Sequence, residues 1–193
     1  MHTYSKVYDS YAQAERVVRD LEAKGVPSSE ISLIANKHVS EQYAKVDDVS
    51  ATASGAGIGA TVGGGVGLLT GLGLLAIPGL GPVVAAGWLA ATAVGTIVGT
   101  AAGGLIGALV DAGTPEADAH VYSESIRRGG TLVTVRTDRP AEQVEAILNR
   151  HQPIDPSARR REYEQTGWKA FDPKAPAYRP DQAEIERMRR RYE

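Results

Sequence analysis

Few side chains in this sequence stand at spacings that support catalysis. The chain contains no cysteine, which excludes disulfides, thiolate metal sites and a cysteine nucleophile. No G-x-S-x-G sequence places a serine nucleophile, and no glycine-rich stretch is followed by Lys-Ser or Lys-Thr as in a phosphate-binding loop. The histidines lack a metal-binding spacing and are better interpreted as surface or fold-edge residues: His2, His38, His120 and His151. The sequence therefore predicts no enzyme and no metal site.

Two further groups of residues could carry chemistry. Residues 71–76 fit the dinucleotide pattern G-x-G-x-x-A, but that site needs a preceding strand and a crossover helix, and here the pattern falls in a predicted helix. We therefore expect no cofactor. Glu116, Asp118 and Glu124 are more simply charges favoured on the first turns of a helix. The arginines at 127–128 and 159–161 are interpreted as solvated faces.

The strongest pattern is a glycine at every fourth residue. On a helix this spacing keeps the glycines on one face, so that a partner backbone can approach closely. Because each helical glycine costs about 1 kcal/mol relative to alanine, close packing must offset the cost of this row of glycines, which we call the glycine ladder. The pattern predicts a double glycine zipper that mediates oligomerisation through Gly55, Gly59, Gly63, Gly67, Gly71, Gly95, Gly99, Gly103 and Gly107.

All nine glycines lie within residues 49–110, which contain no Asp, Glu, Lys, Arg or His; we call this stretch the charge-free segment. Its prolines and glycines at 77–82 predict a turn between two helices at 51–77 and 83–110. At 1.5 Å per residue each helix would span roughly 40 Å, more than the roughly 30 Å core of a bilayer. A helical hairpin inserted in the cytoplasmic membrane is the first interpretation.

The alternative is a soluble oligomer whose hairpins bury each other. The turn has no polar anchor, and acidic residues flank the segment at Asp47, Asp48 and Asp111 in place of the Lys/Arg excess expected beside a membrane. A flexible linker is disfavoured because such linkers are rich in glycine and serine, whereas here leucines and isoleucines are interleaved with the regularly spaced glycines. With a net charge of −2, the chain is not expected to bind nucleic acid.

The flanks of the segment predict one α/β domain. Residues 1–35 form a βαβ pattern, in which Ser10 and Gln13 make a capping box. Its helix carries one apolar stripe at 14, 17, 18 and 21, and its second strand is residues 31–35. After Thr114 as N-cap come a helix, a strand at 131–137, a helix capped by Asp138 and a short strand at Ile154. Two such halves predict an α+β fold of the ferredoxin-like, split βαβ type, a four-stranded antiparallel sheet with helices on one face.

This interpretation divides the chain into four parts. Residues 1–48 and 113–155 are the two halves of the α/β domain, and residues 49–112 are the glycine-zipper α-helical hairpin between them. Both ends of a two-helix insert emerge on the same side, so both termini of a membrane-inserted chain would be cytoplasmic. No secretory signal is read at the start.

Residues 156–193 predict a mostly irregular tail, rich in proline and arginine, with a short helix at its end. Aromatic rings and arginines in such a tail suit a membrane interface with anionic lipid, or a strap onto a neighbouring subunit. The residues expected to make these contacts are Trp168, Phe171, Arg187, Arg189, Arg190 and Arg191.

Parts of the sequence resemble a known family. Residues 7–10 with their helix and residues 31–35 are similar to the N-terminal domain of the bacterial heat-induced general stress protein family. Residues 122–135, with the run Arg127-Arg128-Gly129-Gly130, are similar to its membrane-anchored, glycine-rich relatives. The resemblance covers about residues 1–155 and implies stress-linked expression without enzymatic activity. The sequence as a whole predicts a non-enzymatic stress-response protein that forms homo-oligomers, with membrane lipid as a second partner and no ligand assigned.

Overall fold

The computed structural model describes residues 1–36, 73–77, 80–89, 104–176 and 178–192. Over these ranges the protein is a mixed α+β structure built on an antiparallel sheet. Its strands are β1 (His2–Tyr8), β2 (Ile31–Ala35), β3 (Gly73–Ile77), β4 (Gly81–Ala86) and β5 (Thr131–Thr137). Its helices are α1 (Tyr11–Ala23), α2 (Gly104–Asp111), α3 (Glu116–Arg127), α4 (Ala141–Arg150), α5 (Pro156–Glu164) and α6 (Gln182–Tyr192).

The strand order is β1-β5-β2-β4-β3, and every neighbouring pair is antiparallel. Strand β5 pairs with β1 on one side, where Tyr8 lies opposite Thr131, and with β2 on the other, where Ile31 lies opposite Val135. The residues before and after the charge-free segment thus share one sheet. Strands β4 and β3, which belong to that segment, extend the sheet beyond β2.

Alternating side chains of the strands enter two hydrophobic clusters. Val133 and Val135 of β5 pack with Val17 and Leu21 of α1 and with Leu148 of α4. On the other side of the sheet, a second cluster joins strand residues to α2 and α3: Val7, Ile34, Leu132, Leu109, Tyr122 and Ile126. The sheet therefore carries helices on both faces.

Local signals place several of these elements. The Ser10 Oγ accepts a hydrogen bond from the Gln13 amide at 3.2 Å, and the Gln13 Oε1 accepts one from the Ser10 amide at 3.1 Å, which confirms the capping box. Two predicted caps are wrong, because α3 and α4 begin after Pro115 and Pro140, neither of which makes a side-chain cap. Proline needs no partner for a missing amide hydrogen at a helix start.

The ferredoxin-like expectation differs from the described structure. Helices lie on both faces of the sheet rather than one, and two strands of the charge-free segment join it. The short strand expected at Ile154 does not form; its amide donates one hydrogen bond to the Val7 carbonyl at 2.7 Å. Prolines at 153 and 156 flank this residue, and a proline cannot donate to a β-ladder.

The predicted helical hairpin is not confirmed, and it is wrong for residues 73–77 and 81–86. Residues 73–77 and 81–86 are strands, with Ile77 opposite Gly81, and the chain reverses between them as the turn prediction required. Short apolar runs between glycines and prolines fit a buried strand as well as a helix, so composition alone does not separate them. Residues 104–111 are helical, as predicted. The dinucleotide-like pattern ends inside β3 and leads into β4, not into a crossover helix.

Most of the glycine ladder lies outside the described residues: Gly55, Gly59, Gly63, Gly67, Gly71, Gly95, Gly99 and Gly103. Only Gly107 is described, half-buried in α2. Among the helices in the described ranges, none combines the length and apolar character needed to cross a bilayer.

The C-terminal region is more ordered than predicted. The expected short helix at the end is present as α6, but α5 replaces an expected irregular stretch. The Asp155 carboxylate caps α5 by accepting from the Ala158 amide at 2.8 Å, with Pro156 in the first turn. Phe171 and Ile185 are each 8% exposed, so this region contributes to the packed protein.

Candidate functional site

The most densely connected polar group lies at the end of α3. Glu124 is 1% exposed, and its carboxylate accepts hydrogen bonds from two arginines of the same helix. Arg127 donates from Nε at 2.8 Å and from Nη2 at 2.6 Å, and Arg128 donates from Nε at 2.6 Å. Spacings of three and four residues place all three side chains on one helix face. The buried carboxylate is therefore neutralised within its own helix.

Two tyrosines from later elements complete this group. The Arg128 guanidinium lies 4.4 Å from the ring centre of Tyr163 on α5 and 5.2 Å from that of Tyr178. Arg127 also lies 5.2 Å from the Tyr178 ring. A guanidinium at these distances is attracted to the ring quadrupole. We call Glu124, Arg127, Arg128, Tyr163 and Tyr178 the arginine–tyrosine cluster.

A cleft of about 270 Å³ adjoins the cluster. Its arginines are balanced by carboxylates, and the Arg159 Nη2 pairs with the Asp9 Oδ1 at 2.7 Å. Equal numbers of both signs give a lining with no net charge, which suits a mixed-charge protein segment better than an anion. The residues that line it are Asp9, Ser125, Arg128, Gly130, Ile154, Arg159, Glu162, Tyr163, Glu184 and Arg187.

The phenols and guanidiniums of this region keep their neutral and charged forms, respectively. Burial raises the pKa of Tyr163, although Arg159 beside it acts in the opposite direction. Burial and the hydrogen bond to Glu184 raise the pKa of Tyr178. Burial alone would lower the pKa of Arg159, but Asp9, Tyr163 and Glu162 together offset it, so the pKa is raised.

Residues 171–192, which we call the strap, lie against this surface. The Phe171 side chain enters the cluster on the α2–α3 side of the sheet, and its amide donates to the His120 Nδ1 at 3.3 Å. Arg127 donates from Nη1 to the Pro176 carbonyl at 3.4 Å. The Tyr178 hydroxyl donates to the Glu184 carboxylate. The strap therefore bridges α3 along much of its length.

These contacts revise the expected roles of the two aromatic residues. Phe171 is buried in its own chain and cannot lie at a lipid surface in this conformation. Trp168 is half-buried and meets Tyr163 edge to face, with ring centres 5.5 Å apart. An exposed tail was expected because prolines and charges surround both residues, but that pattern does not report where a single aromatic side chain packs.

The structure describes the side chains of two of the four arginines expected to make contacts in α6. Arg187 lines the cleft and is exposed, and it forms no ion pair with any residue that the structure describes. Arg190 is exposed. The side chains of Arg189 and Arg191 lie outside the described part.

The charge-free segment meets the domain near the same helix. Leu80, in the reversal between β3 and β4, is fully buried, and its carbonyl accepts from the Asn36 Nδ2 at 3.0 Å. The same amide donates to the Arg127 carbonyl at 3.2 Å. Leu89 is fully buried, and its amide donates to the Ser32 Oγ at 2.9 Å. The middle of the segment is thus fixed to β2 and α3.

Sequence reasoning missed the arginine–tyrosine cluster. Glu124 was interpreted as a helix-start charge, although it stands three and four residues before two arginines, a spacing that predicts ion pairs on one helix face. Nothing local marks Tyr178 as their partner. Over the described ranges, no three potential ligands among His, Asp and Glu are grouped for a metal ion.

Comparisons of this chain with known protein families, with curated proteins and with solved structures found no match.

Proposed function

We propose that this is a non-enzymatic protein whose copies associate through the charge-free segment. The observation that carries the proposal is a run of 62 residues without a charged side chain, residues 49–110, in a chain that is 23% charged overall. Apolar surface of that extent is stabilised by being covered, and the glycine period suits close approach of backbones from several copies.

The position of β3 supports self-association. It is the last strand of the sheet over the described residues, and its sequence, Gly-Leu-Leu-Ala-Ile, contains no charge. Edge strands commonly carry lysine, proline or a bulge that prevents pairing with another chain. Strand β3 contains neither lysine nor proline, which favours its pairing with another apolar segment.

The α/β domain that carries the segment is proposed to be of the split βαβ type. The strand order β1-β5-β2, with α1 and α4 packed on one face, supports it. The Ile154 amide, which donates to the Val7 carbonyl, brings the chain beside β1, although no strand forms there.

Two settings are proposed for the assembly. The length of the charge-free segment supports insertion in the cytoplasmic membrane, with both termini on the cytoplasmic side. One observation favours the second setting, a soluble scaffold with segments buried between subunits: the turn at 77–82 is fixed to the domain through buried Leu80. A bilayer-spanning hairpin would hold this turn far from the domain.

The test compares ladder and off-ladder glycines. Gly63→Leu puts a bulky side chain on the close-packed face and should reduce or disrupt the oligomer, whereas Gly65→Leu, two residues away, faces elsewhere on a helix. Native mass measurement reports the size distribution of both variants. The same distribution for Gly63→Leu, Gly65→Leu and the unmodified protein would contradict the proposal.

The setting is tested separately. Protein that stays with membranes after an alkaline wash supports insertion, and a large species that needs no detergent supports the scaffold. A role in stress response is proposed on the resemblance of residues 7–10, 31–35 and 122–135. It predicts that heat raises the amount of the protein in its native host.

A further inference from the structure

The surface beneath the strap is held together mainly by contacts between α3 and α5, to which the strap does not contribute. Glu124 accepts hydrogen bonds from Arg127 and Arg128, and the Arg128 guanidinium also lies over the Tyr163 ring of α5. The Tyr163 hydroxyl is in turn 3.0 Å from the Ser125 Oγ. We call His120, Arg127, Arg128 and Tyr163 the strap groove. Because other parts of the chain fix Arg127, Arg128 and Tyr163, this part of the groove is preorganised for its occupant.

The strap docks by a few separated anchors. Phe171 fills an apolar position beside His120, Tyr178 lies on the two guanidiniums, and Ile185 is buried. The charges also match, since Glu184 of the strap and Arg128 of the groove both line the cleft. An identical segment from a second copy would offer the same anchors in the same order.

The connection between α5 and the strap is mostly exposed and makes few side-chain contacts. Residues 165–170 are exposed except for half-buried Trp168. Their turn depends on Gly167 at φ +83°, with nothing within 4 Å of an added Cβ, and on backbone bonds such as Trp168 to the Tyr163 carbonyl at 3.2 Å. Extended, six residues reach about 20 Å. Such a length lets the strap leave its own groove.

We propose that the strap is exchanged between copies, so that the groove of one protomer binds the strap of its neighbour. Exchange replaces each contact by the same contact, so its free energy depends on the connection and on how close the copies are. The proposal rests on self-association through the charge-free segment, which holds copies together and raises the effective concentration of one strap near another groove.

Cross-linking tests the exchange. The chain has no native cysteine, so introduced thiols react alone. Ala117, one turn before His120, and Ala170, next to Phe171, are both exposed. The double variant A117C/A170C, treated with a bismaleimide, should link within one chain and shows that the two positions are within reach. Co-expressed single variants A117C and A170C can join these positions only between chains.

We expect an interchain link between positions 117 and 170, identified by peptide mass spectrometry, in the co-expressed assembly. The control pair is A117C with A146C, because exposed Ala146 lies on α4, on the opposite face of the sheet. The 117–170 link should exceed the 117–146 link at least tenfold. An assembled protein that links 117 to 170 only within one chain overturns the exchange and leaves the proposed function standing. A chain that stays monomeric overturns the proposed function, and the exchange with it.

Discussion

Gly87 follows β4 in a conformation that other residues avoid. Its φ is +88°, and an added Cβ would lie 2.8 Å from the Ser32 Cα and contact the Ile31 carbonyl oxygen. Replacement by alanine should therefore lower the free energy of unfolding by about 2 to 4 kcal/mol, through backbone strain and displacement of β2. Denaturant unfolding measures the loss.

The control for this prediction is Gly113→Ala. Gly113 has φ +94° but nothing within 4 Å of an added Cβ, so it shows the backbone cost alone, about 1 kcal/mol. The sign of the Gly87 result also separates two structures. In a helical hairpin, alanine at position 87 would stabilise the chain by about 1 kcal/mol, and a gain in stability would contradict the strand arrangement.

Glu124 is a second residue whose replacement has a defined outcome. Glu124→Gln keeps the size of the side chain but leaves two arginines, 14% and 21% exposed, beside a neutral amide. We expect a loss of about 2 to 4 kcal/mol, less than for a fully buried pair because water screens both guanidiniums. Thermal or denaturant unfolding measures it.

The matched control is Glu15→Gln in α1, whose partner Arg19 lies four residues on and is 62% exposed. A solvated pair of this kind contributes about 0.5 kcal/mol or less. Equal losses of unfolding free energy in the two variants would show that burial does not strengthen the ion pairs of Glu124.

At the scale of elements, amphipathic periodicity and turn chemistry predicted the domain well. The stripe Ala14, Val17, Val18 and Leu21 is buried in α1 as expected, and β2 and β5 have their predicted bounds. Alternating polar and apolar positions carry this information, because they state both the period and the buried face. The charge-free segment lacks charged positions, so its period was read from glycine, and β3 and β4 were missed.

The candidate site was less predictable for a different reason. The pairing of Glu124 with Arg127 and Arg128 is local and could be read from spacing. The docking of Tyr178 and Phe171 joins residues about fifty positions apart in sequence to α3. A single sequence holds no signal for such contacts when the intervening chain is polar and rich in proline.

Phe171 is expected to anchor the strap to the α2–α3 side of the domain. Phe171→Ala removes a ring that is 8% exposed and leaves a cavity, at a cost of about 3 kcal/mol to docking. Trypsin should then cleave the strap after Lys174 and after Arg187 at least tenfold faster, before the rest of the chain. Ala170→Ser, at an exposed neighbouring position, should leave the cleavage rate unchanged. Equal rates in both variants would show that Phe171 does not anchor the strap.

The whole molecule is joined across the charge-free segment in two ways. Strand β5 lies between β1 and β2, so neither flank of the segment has a complete sheet alone. Parts of the segment also enter the core on the α2–α3 side of the sheet, both from around β4 and from α2. The buried residues are Leu80, Ala85, Leu89, Leu105, Ala108 and Leu109. Parts of the segment therefore belong to the domain, and the proposed assembly surface is the remainder.

Two deletions separate these roles. Joining residue 48 to residue 111 through a Gly/Ser linker removes β3, β4 and α2, and with them four buried leucines at 80, 89, 105 and 109. At about 2 kcal/mol for each leucine, the loss of roughly 8 kcal/mol is comparable to the stability of a whole domain. This variant should not unfold cooperatively. Joining residue 48 to residue 71 keeps every described element and should preserve a single cooperative transition.

Far-ultraviolet and near-ultraviolet circular dichroism during denaturant unfolding measure both variants, with native mass as the readout of assembly. If the segment were only an insert, the longer deletion would unfold cooperatively with the midpoint of the shorter one. The shorter deletion removes four ladder glycines, Gly55, Gly59, Gly63 and Gly67, so it should fold but assemble less. A folded short deletion that keeps the full oligomer would place the contact between copies elsewhere, with β3 as the remaining apolar edge.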